Sequence, residues 1–146
     1  MAISISNKLR QGLVTQTPEA TEDIGCQLVA ELPENHVLAL SGDLGAGKTT
    51  FVRGLARGLG IAETPTSPTY NIYATYLGKR QLLHMDAYRL NSGDDIEGLM
   101  LEDFLHPPWL MVVEWPEKVQ SWLEDESVTT LEFRVLGNGR HRIQMV

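Results

Sequence analysis

The stretch that decides the fold runs from residue 42 to residue 49 and reads Gly42-Asp43-Leu44-Gly45-Ala46-Gly47-Lys48-Thr49. It matches the phosphate-binding pattern G-x-x-x-x-G-K-[ST] without a gap. Glycines at these spacings permit positive φ angles, so that successive backbone N–H groups can close around phosphate oxygens. The pattern predicts that Lys48 bridges the β and γ phosphates of a nucleoside triphosphate and that the Thr49 hydroxyl binds Mg²⁺.

The residues on both sides of this loop have the pattern that such a loop requires. Residues 37–40 form a continuous apolar run, which is typical of a strand buried on both faces of a parallel sheet. Residues 49–59 have the apolar stripe of a helix whose positive dipole end, at Lys48, faces the same anion. The candidate nucleotide-binding residues of this segment are Gly42, Asp43, Leu44, Gly45, Ala46, Gly47, Lys48, Thr49 and Thr50.

The rest of the chain alternates between predicted strands and helices. Further strands are predicted at 12–15, 70–77, 81–88, 109–115, 129–136 and 141–146, and further helices after Thr17, at 96–104 and from Pro116 to Leu123. Thr17-Pro18 is an N-cap followed by a first-turn proline, and residues 137–139 predict a hairpin turn. We therefore expect one α/β domain over residues 1–146, similar to P-loop NTPases: a mostly parallel sheet flanked by helices, with a C-terminal antiparallel hairpin.

Two carboxylates are predicted at the carboxyl ends of strands beside the loop. Glu114 closes the apolar run 110–113, and Asp86 closes the strand that begins at residue 81. Because Mg²⁺ and an attacking water need acidic groups at this edge, the predicted catalytic residues are Lys48, Asp86 and Glu114. His84 shares a strand face with Asp86; a structural and a catalytic role both remain open. A zinc site at these two residues is disfavoured because further ligands are missing.

The polar segment Thr66-Ser67-Pro68-Thr69 lies between the loop's helix and the next strand. Its hydroxyls suit a switch loop that meets the γ-phosphate or its metal. An ordinary proline turn explains the same residues equally well.

Charge and composition limit the classes of partner. Twelve basic residues against nineteen acidic ones leave a net charge of −7, which disfavours stand-alone binding to a nucleic acid. A basic cluster near the C-terminus is predicted to be a solvated hairpin end; it comprises Arg134, Arg140, His141 and Arg142. Cys26 is the only cysteine, so no disulfide forms within the chain. No signal peptide or membrane-spanning run is visible, and a cytoplasmic location is expected.

Four blocks in this order resemble the bacterial TsaE family, also called YjeE. The blocks are GDLGAGKT at 42–49, SPTY at 67–70, HMDAYRL at 84–90 and EWPEK at 114–118. The resemblance implies a small cytoplasmic ATPase that works with TsaB, TsaD and the threonylcarbamoyl-AMP synthase TsaC. That pathway makes threonylcarbamoyladenosine beside the anticodon of tRNAs reading ANN codons. It also implies docking on the TsaB–TsaD heterodimer, tRNA contact only through that complex, and ATP hydrolysis that resets it.

The same resemblance assigns roles to individual residues. It implies that Thr49 and Glu114 bind Mg²⁺ and that Asp86 organises the metal or the attacking water. It also implies that Thr17 lies near the nucleotide. Trp115, Glu117 and Lys118 would border the ATP site. ATP and Mg²⁺ are thus the implied cofactors.

Two other functions remain open on the sequence. A small-molecule kinase would need an arginine-bearing lid, and the candidate segment 89–103 holds five acidic residues and one arginine. A nucleotide-gated binding module would use ATP occupancy without hydrolysis. A guanine-specific GTPase is disfavoured because the chain has no Asn-Lys-x-Asp stretch, and a transporter ATPase because it has no Ser-Gly-Gly signature.

Overall fold

The computed structural model describes residues 3–43, 45–66, 72–90, 93–124 and 126–146, with the backbone alone at 93 and 94. The strands are β1 (Leu13–Thr15), β2 (His36–Gly42), β3 (Tyr73–Leu77), β4 (Gln81–Asp86), β5 (Trp109–Glu114), β6 (Val128–Gly137) and β7 (Arg140–Met145). The α-helices are α1 (Ile5–Gln11), α2 (Pro18–Leu28), α3 (Lys48–Gly58), α4 (Gly93–Glu97) and α5 (Gln120–Leu123).

The strands form one sheet in the order β1-β7-β6-β2-β5-β4-β3. The four central strands, β6, β2, β5 and β4, run parallel, whereas β3, β7 and β1 pair antiparallel at the two edges. The predicted fold class is therefore confirmed, including the antiparallel hairpin of β6 and β7. This topology brings the carboxyl ends of β2, β4 and β5 to the same edge of the sheet.

Three predicted elements differ from the structure. The strand expected at 81–88 ends at Asp86, whose carboxylate accepts the Tyr88 N–H and begins a 3₁₀ turn. The single helix expected at 96–104 is wrong: α4 ends at Glu97, and Met100 takes a left-handed φ of 54° before a separate 3₁₀ turn. The helix expected from Pro116 begins as a 3₁₀ turn and becomes α-helical at residue 120. Of the strand expected at 70–77, residues 70 and 71 lie outside the described ranges.

Helix α1 was not predicted, and side chains at its N-terminus explain why it forms. Ser4 Oγ accepts the Asn7 N–H at 3.1 Å. The Glu31 carboxylate accepts the N–H groups of Ile5 and Ser6 at 3.0 and 3.1 Å. Hydrogen bonds, above all from Ser6, lower the pKa of Glu31. Helix α1 is thus held by a carboxylate that is distant in sequence.

Each face of the sheet carries its own apolar core. Helices α1, α2 and α3 cover one face, over residues such as Leu38, Leu82 and Val112. The turns and short helices after β4 and β5 cover the other, over Leu83 and Met111. Within the described part of the chain, no helix has both the length and the apolar character that crossing a bilayer requires.

Helices α2 and α3 pack with their backbones unusually close. Thr17 caps α2 by accepting the Ala20 N–H at 3.1 Å. A Cβ on Gly25 would lie 2.5 Å from the Phe51 carbonyl oxygen, and one on Gly54 would lie 2.0 Å from that of Glu22. Glycine at both positions therefore lets α2 approach α3, and this approach brings the start of α2 beside the phosphate loop.

Gly54→Ala is expected to lower the free energy of unfolding by about 1–3 kcal/mol, because a methyl group would overlap the α2 backbone. Urea denaturation measures the effect. The control is Gln27→Ala on the exposed side of α2, where changes stay within about 0.5 kcal/mol. Equal midpoints for the two variants would contradict the close helix packing.

His36 is predicted to make folding stability depend on pH. Its Nδ1 and Nε2 lie 2.9 and 2.7 Å from the hydroxyl oxygens of Ser127 and Thr129. Burial, and secondarily the charge of Arg80, lowers the pKa of His36 from its ordinary 6.5. Below pH 6.5 the unfolded chain therefore binds the proton more readily than the folded one, and stability falls as pH falls towards the lowered pKa.

The slope from one proton has an upper limit of about 1.4 kcal/mol per pH unit. Urea titrations at several pH values between 5 and 7.5 should show that His36→Gln removes part of this dependence. His106→Gln, at an exposed site, should leave it unchanged. Parallel curves for wild type and His36→Gln would show that this histidine does not contribute.

Candidate nucleotide site

A cavity of about 380 Å³ opens at the carboxyl edge of the parallel strands. It is lined by Thr17, Pro18, Thr21, Gly45, Gly47, Lys48, Thr49, Thr50, Asp86, Glu114, Trp115, Gly139 and His141. Its walls therefore come from the phosphate loop, the start of α2, the ends of β4 and β5, and the β6–β7 hairpin. The loop predicted to bind phosphate and the two predicted carboxylates share this one cavity.

The loop's backbone has the conformation that its glycines predict. Gly42, Gly45 and Gly47 have φ angles of 136°, 77° and 97°. Gly42 also needs its small size, since a Cβ there would lie 2.2 Å from the Phe133 carbonyl oxygen. The loop ends in α3, whose first N–H groups have no carbonyl partner within the helix. Free amides and the helix dipole together make this end of the cavity attractive to an anion.

Lys48 brings a positive charge into the cavity. Its side chain is 5% exposed, and Nζ donates to the Gly42 carbonyl oxygen at 2.8 Å. The ammonium also lies 4.1 Å from the centre of the Trp115 ring. Among the described residues, no carboxylate lies within the 4.0 Å of an ion pair with Lys48. A buried ammonium without an anion strongly favours an anionic ligand.

Asp86 and Glu114 lie side by side across the β4–β5 pairing. By strand alternation both face the same side of the sheet as α3. The Glu114 carboxylate is almost fully buried, and its Oε2 lies 2.6 Å from Nε2 of the fully buried His84. Asp86 is half-buried and uses one oxygen to accept the Tyr88 N–H at 3.0 Å. Two acidic groups therefore face the phosphate loop across the cavity.

These oxygen donors suit Mg²⁺ better than a transition metal. Thr49, Asp86 and Glu114 offer a hydroxyl and two carboxylates, which are hard ligands of the kind Mg²⁺ prefers. No group of three His, Cys, Asp or Glu side chains in the described ranges could hold a metal by itself. Mg²⁺ is ordinarily bound by one or two carboxylates together with phosphate oxygens. The donor set therefore fits a metal that arrives with a nucleotide.

Comparison with known sequences assigns the family. The sequence profile described as "Threonylcarbamoyl adenosine biosynthesis protein TsaE" matches residues 15–143. The chain belongs to the TsaE family. It is 41% identical over 130 residues to the tRNA threonylcarbamoyladenosine biosynthesis protein TsaE of Treponema pallidum, covering 89% of this chain and 96% of that protein.

Two matches from Bacillus subtilis, one to a sequence and one to a crystal structure, extend the comparison. The curated TsaE protein of strain 168 is 42% identical over 113 residues, which cover 77% of this chain and 70% of that protein. The crystal structure of YdiB aligns with a TM-score of 0.70 at 33% sequence identity, over 92% of this chain and 82% of that chain. The fold described above is therefore also the fold of YdiB in its crystal structure.

The TsaE-family chain brings most of the predicted site residues together, but not all. The predicted residues that line the cavity are Thr17, Gly45, Gly47, Lys48, Thr49, Thr50, Asp86, Glu114 and Trp115. The backbone oxygen of Gly42 accepts a hydrogen bond from Lys48 Nζ. The backbone oxygen of Asp43 accepts the Ala46 N–H. Ala46, which is part of the loop, is buried and does not line the cavity. Leu44 and the proposed switch residues 67–69 lie outside the described ranges.

Glu117 and Lys118 do not line the cavity. Both are exposed, and Lys118 Nζ lies 5.6 Å from the centre of the Tyr88 ring. The Tyr88 ring in turn packs against Trp115, with ring centres 5.2 Å apart. Trp115 has a left-handed φ of 60°, which turns the chain directly after Glu114. The segment thus contacts the site through Trp115, and roles for Glu117 and Lys118 in nucleotide binding stay predictions.

Sequence reasoning missed two polar residues of the cavity. Thr21 lies one turn into α2, and its Oγ1 is 2.8 Å from Thr15 Oγ1. His141 belongs to the cluster that is predicted to be a solvated hairpin end, yet it lines the cavity together with Gly139. The register pairs His141 with Thr15 of β1 and Val135 of β6, which directs it to the face that carries α2. Only the strand pairing, which no local pattern encodes, could have identified it.

Proposed function

We propose that this chain is a Mg²⁺-dependent ATPase that acts with TsaB and TsaD in forming threonylcarbamoyladenosine on tRNA. The observation that carries the proposal is the buried Lys48 ammonium, which has no carboxylate partner among the described residues and faces Asp86 and Glu114 across one cavity. A triphosphate would supply the missing anion, and Asp86 and Glu114 offer the carboxylate oxygens that would hold a divalent cation.

Each residue then has a distinct task. The loop amides and Lys48 bind the phosphates, while Thr49 and Glu114 hold Mg²⁺. The chemistry that Mg²⁺ would supply when bound is neutralisation of the negative charge of the phosphates. Asp86 orients the metal shell or the attacking water. Thr17 and His141, on the walls formed by α2 and the hairpin, contact the remainder of the nucleotide.

Hydrolysis by the isolated chain should be slow. No arginine lines the cavity among the described residues, so the charge of the transferring phosphoryl group lacks a guanidinium partner. An arginine supplied by another protein can accelerate such a reaction about 10³–10⁵-fold. We propose that docking on the TsaB–TsaD heterodimer completes the site and that hydrolysis resets the complex. Contact with tRNA is made through the complex, in the cytoplasm.

The kinase alternative has less support. The described part of the candidate lid, residues 89–90 and 93–103, contributes no residue to the cavity lining. Ile96 and Leu101 of this segment are buried in the core on the opposite face of the sheet. A segment anchored in this way is poorly suited to close over a phosphate acceptor.

The test is ATP hydrolysis by the purified chain, alone and with reconstituted TsaB–TsaD and tRNA. We expect slow release of phosphate alone and strong acceleration in the complex. Chromatography of the products distinguishes free phosphate from a phosphorylated metabolite. Rapid hydrolysis by the chain alone, unchanged by the partners, would refute the partner-dependent activity, and a phosphorylated metabolite would favour the kinase.

A further inference from the structure

His84 lies next to the cavity, against Glu114, but not in the cavity wall. The side chain is fully buried, and it does not contribute to the cavity lining. Its Nε2 lies 2.6 Å from Glu114 Oε2, whereas Nδ1 has no hydrogen-bond partner among the described residues. His84 therefore has one polar contact in this part of the structure, and that contact is with Glu114.

The direction of this hydrogen bond follows from the chemistry of its atoms. An ionised carboxylate only accepts, so Nε2 carries the hydrogen and donates it. A hydrogen on the unpartnered Nδ1 would be a buried donor without an acceptor, which is the costlier arrangement. The ring thus presents one N–H to Glu114.

The geometry also leaves one oxygen of Glu114 available. Oε1 has no hydrogen bond with a described residue, and it is not among the fully buried atoms without a partner. Glu114 lines the cavity, and its hydrogen bond with His84 uses Oε2, so among the described contacts Oε1 is the oxygen left to meet a ligand there. Held in this way, the carboxylate cannot rotate freely about its terminal torsion.

We infer that His84 is a positioning residue: its Nε2–H fixes the Glu114 carboxylate so that the free oxygen meets the metal of a bound nucleotide. This inference rests on the proposed function, because it needs a metal at Glu114. Groups that orient a metal-binding side chain typically contribute 10–100-fold to metal affinity or activity. His84 does not touch the nucleotide or the metal.

A matched set of variants separates this role from simple packing. In His84→Gln the amide nitrogen lies as many bonds from Cβ as Nε2 does, so the donor is kept. In His84→Asn the amide reaches only the position of Nδ1, so the donor to Glu114 is lost. His84→Leu removes the donor without introducing a buried amide, and it serves if the asparagine variant folds poorly.

Two measurements on these variants test the inference. Titration of Mg²⁺ against hydrolysis at saturating ATP should show a 10–100-fold higher half-saturating Mg²⁺ for His84→Asn and His84→Leu, and a value near wild type for His84→Gln. ATP binding in EDTA should be the same for all four proteins. Crystal structures without nucleotide should show the Glu114 carboxylate displaced in the asparagine and leucine variants only.

A readout from the unmodified chain does not depend on folding of any variant. The ¹⁵N resonance of His84 Nε2 should shift when Mg²⁺ and a non-hydrolysable ATP analogue are added together, and much less with the analogue in EDTA. The positioning role would be overturned if all variants had the same half-saturating Mg²⁺. It would also be overturned if the ¹⁵N shift of His84 Nε2 were the same with and without Mg²⁺. Failure of the wild-type chain to bind ATP at all would instead refute the proposed function.

Discussion

Lys48→Met is expected to weaken ATP binding about 100-fold or more. Hydrogen bonds to charged groups contribute about 1.5–3 kcal/mol each, and each 1.4 kcal/mol corresponds to a factor of ten. Methionine keeps an apolar side chain of similar length, so the loss isolates the ammonium and its contacts with the Gly42 carbonyl and the Trp115 ring. Isothermal calorimetry with ATP and Mg²⁺ measures the change in Kd.

For the same variant we predict that ATP binding is weakened but that stability is not. Among the described residues the buried ammonium of Lys48 contacts a carbonyl and an indole but no carboxylate, so its removal should not lower the free energy of unfolding of the nucleotide-free chain. Lys79→Met, at an exposed position, is the matched control and should change neither property. Undiminished ATP affinity in Lys48→Met would show that the cavity does not use this lysine for phosphate.

Glu114→Gln is expected to lower kcat for ATP hydrolysis at least about 10²-fold while ATP binding in EDTA stays close to wild type. Losing one preorganised electrostatic group at a reacting centre typically costs 10²–10³-fold. Glutamine keeps the size of the side chain and an oxygen that accepts from His84, so the change removes charge with little repacking. The rate of phosphate release gives kcat, and titration with ATP in EDTA gives the affinity.

This variant also separates an ATPase from a nucleotide-gated module. If binding alone assembles the complex, Glu114→Gln should support threonylcarbamoyladenosine formation as well as wild type does. If hydrolysis resets the complex, modification should stall after the first turnover. Glu124→Gln, an exposed carboxylate outside the cavity, controls for the general loss of one negative charge.

The parts of the site geometry in which the structure agrees with the sequence are those encoded locally. The phosphate loop has positive φ angles at Gly45 and Gly47, and few residues other than glycine adopt positive φ. The positions of the glycines in the sequence therefore predict the loop conformation. Asp86 and Glu114 were predicted to lie together because parallel strands end at the same edge of a sheet. Their direct pairing in the register agrees with this expectation.

The parts that were missed depend on partners distant in the sequence. Helix α1 relies on Glu31 for its N-terminal hydrogen bonds, and its own residues have no strong apolar stripe. His141 faces the cavity because β7 pairs with both β6 and β1. The segment 96–104 has helical spacing, but Ile96 is buried from the short helix α4 and Leu101 from a separate 3₁₀ turn, instead of both from one helix.

The β6–β7 hairpin has a consequence for biosynthesis. The phosphate loop leaves the ribosome well before His141 and Gly139, which complete the wall of its cavity. Both neighbours of β2, namely β5 and β6, also follow it in the chain. A nascent polypeptide arrested before β7 would therefore carry Lys48 without a finished pocket, and ATP would act as a stabilising ligand only after translation has delivered the last strand.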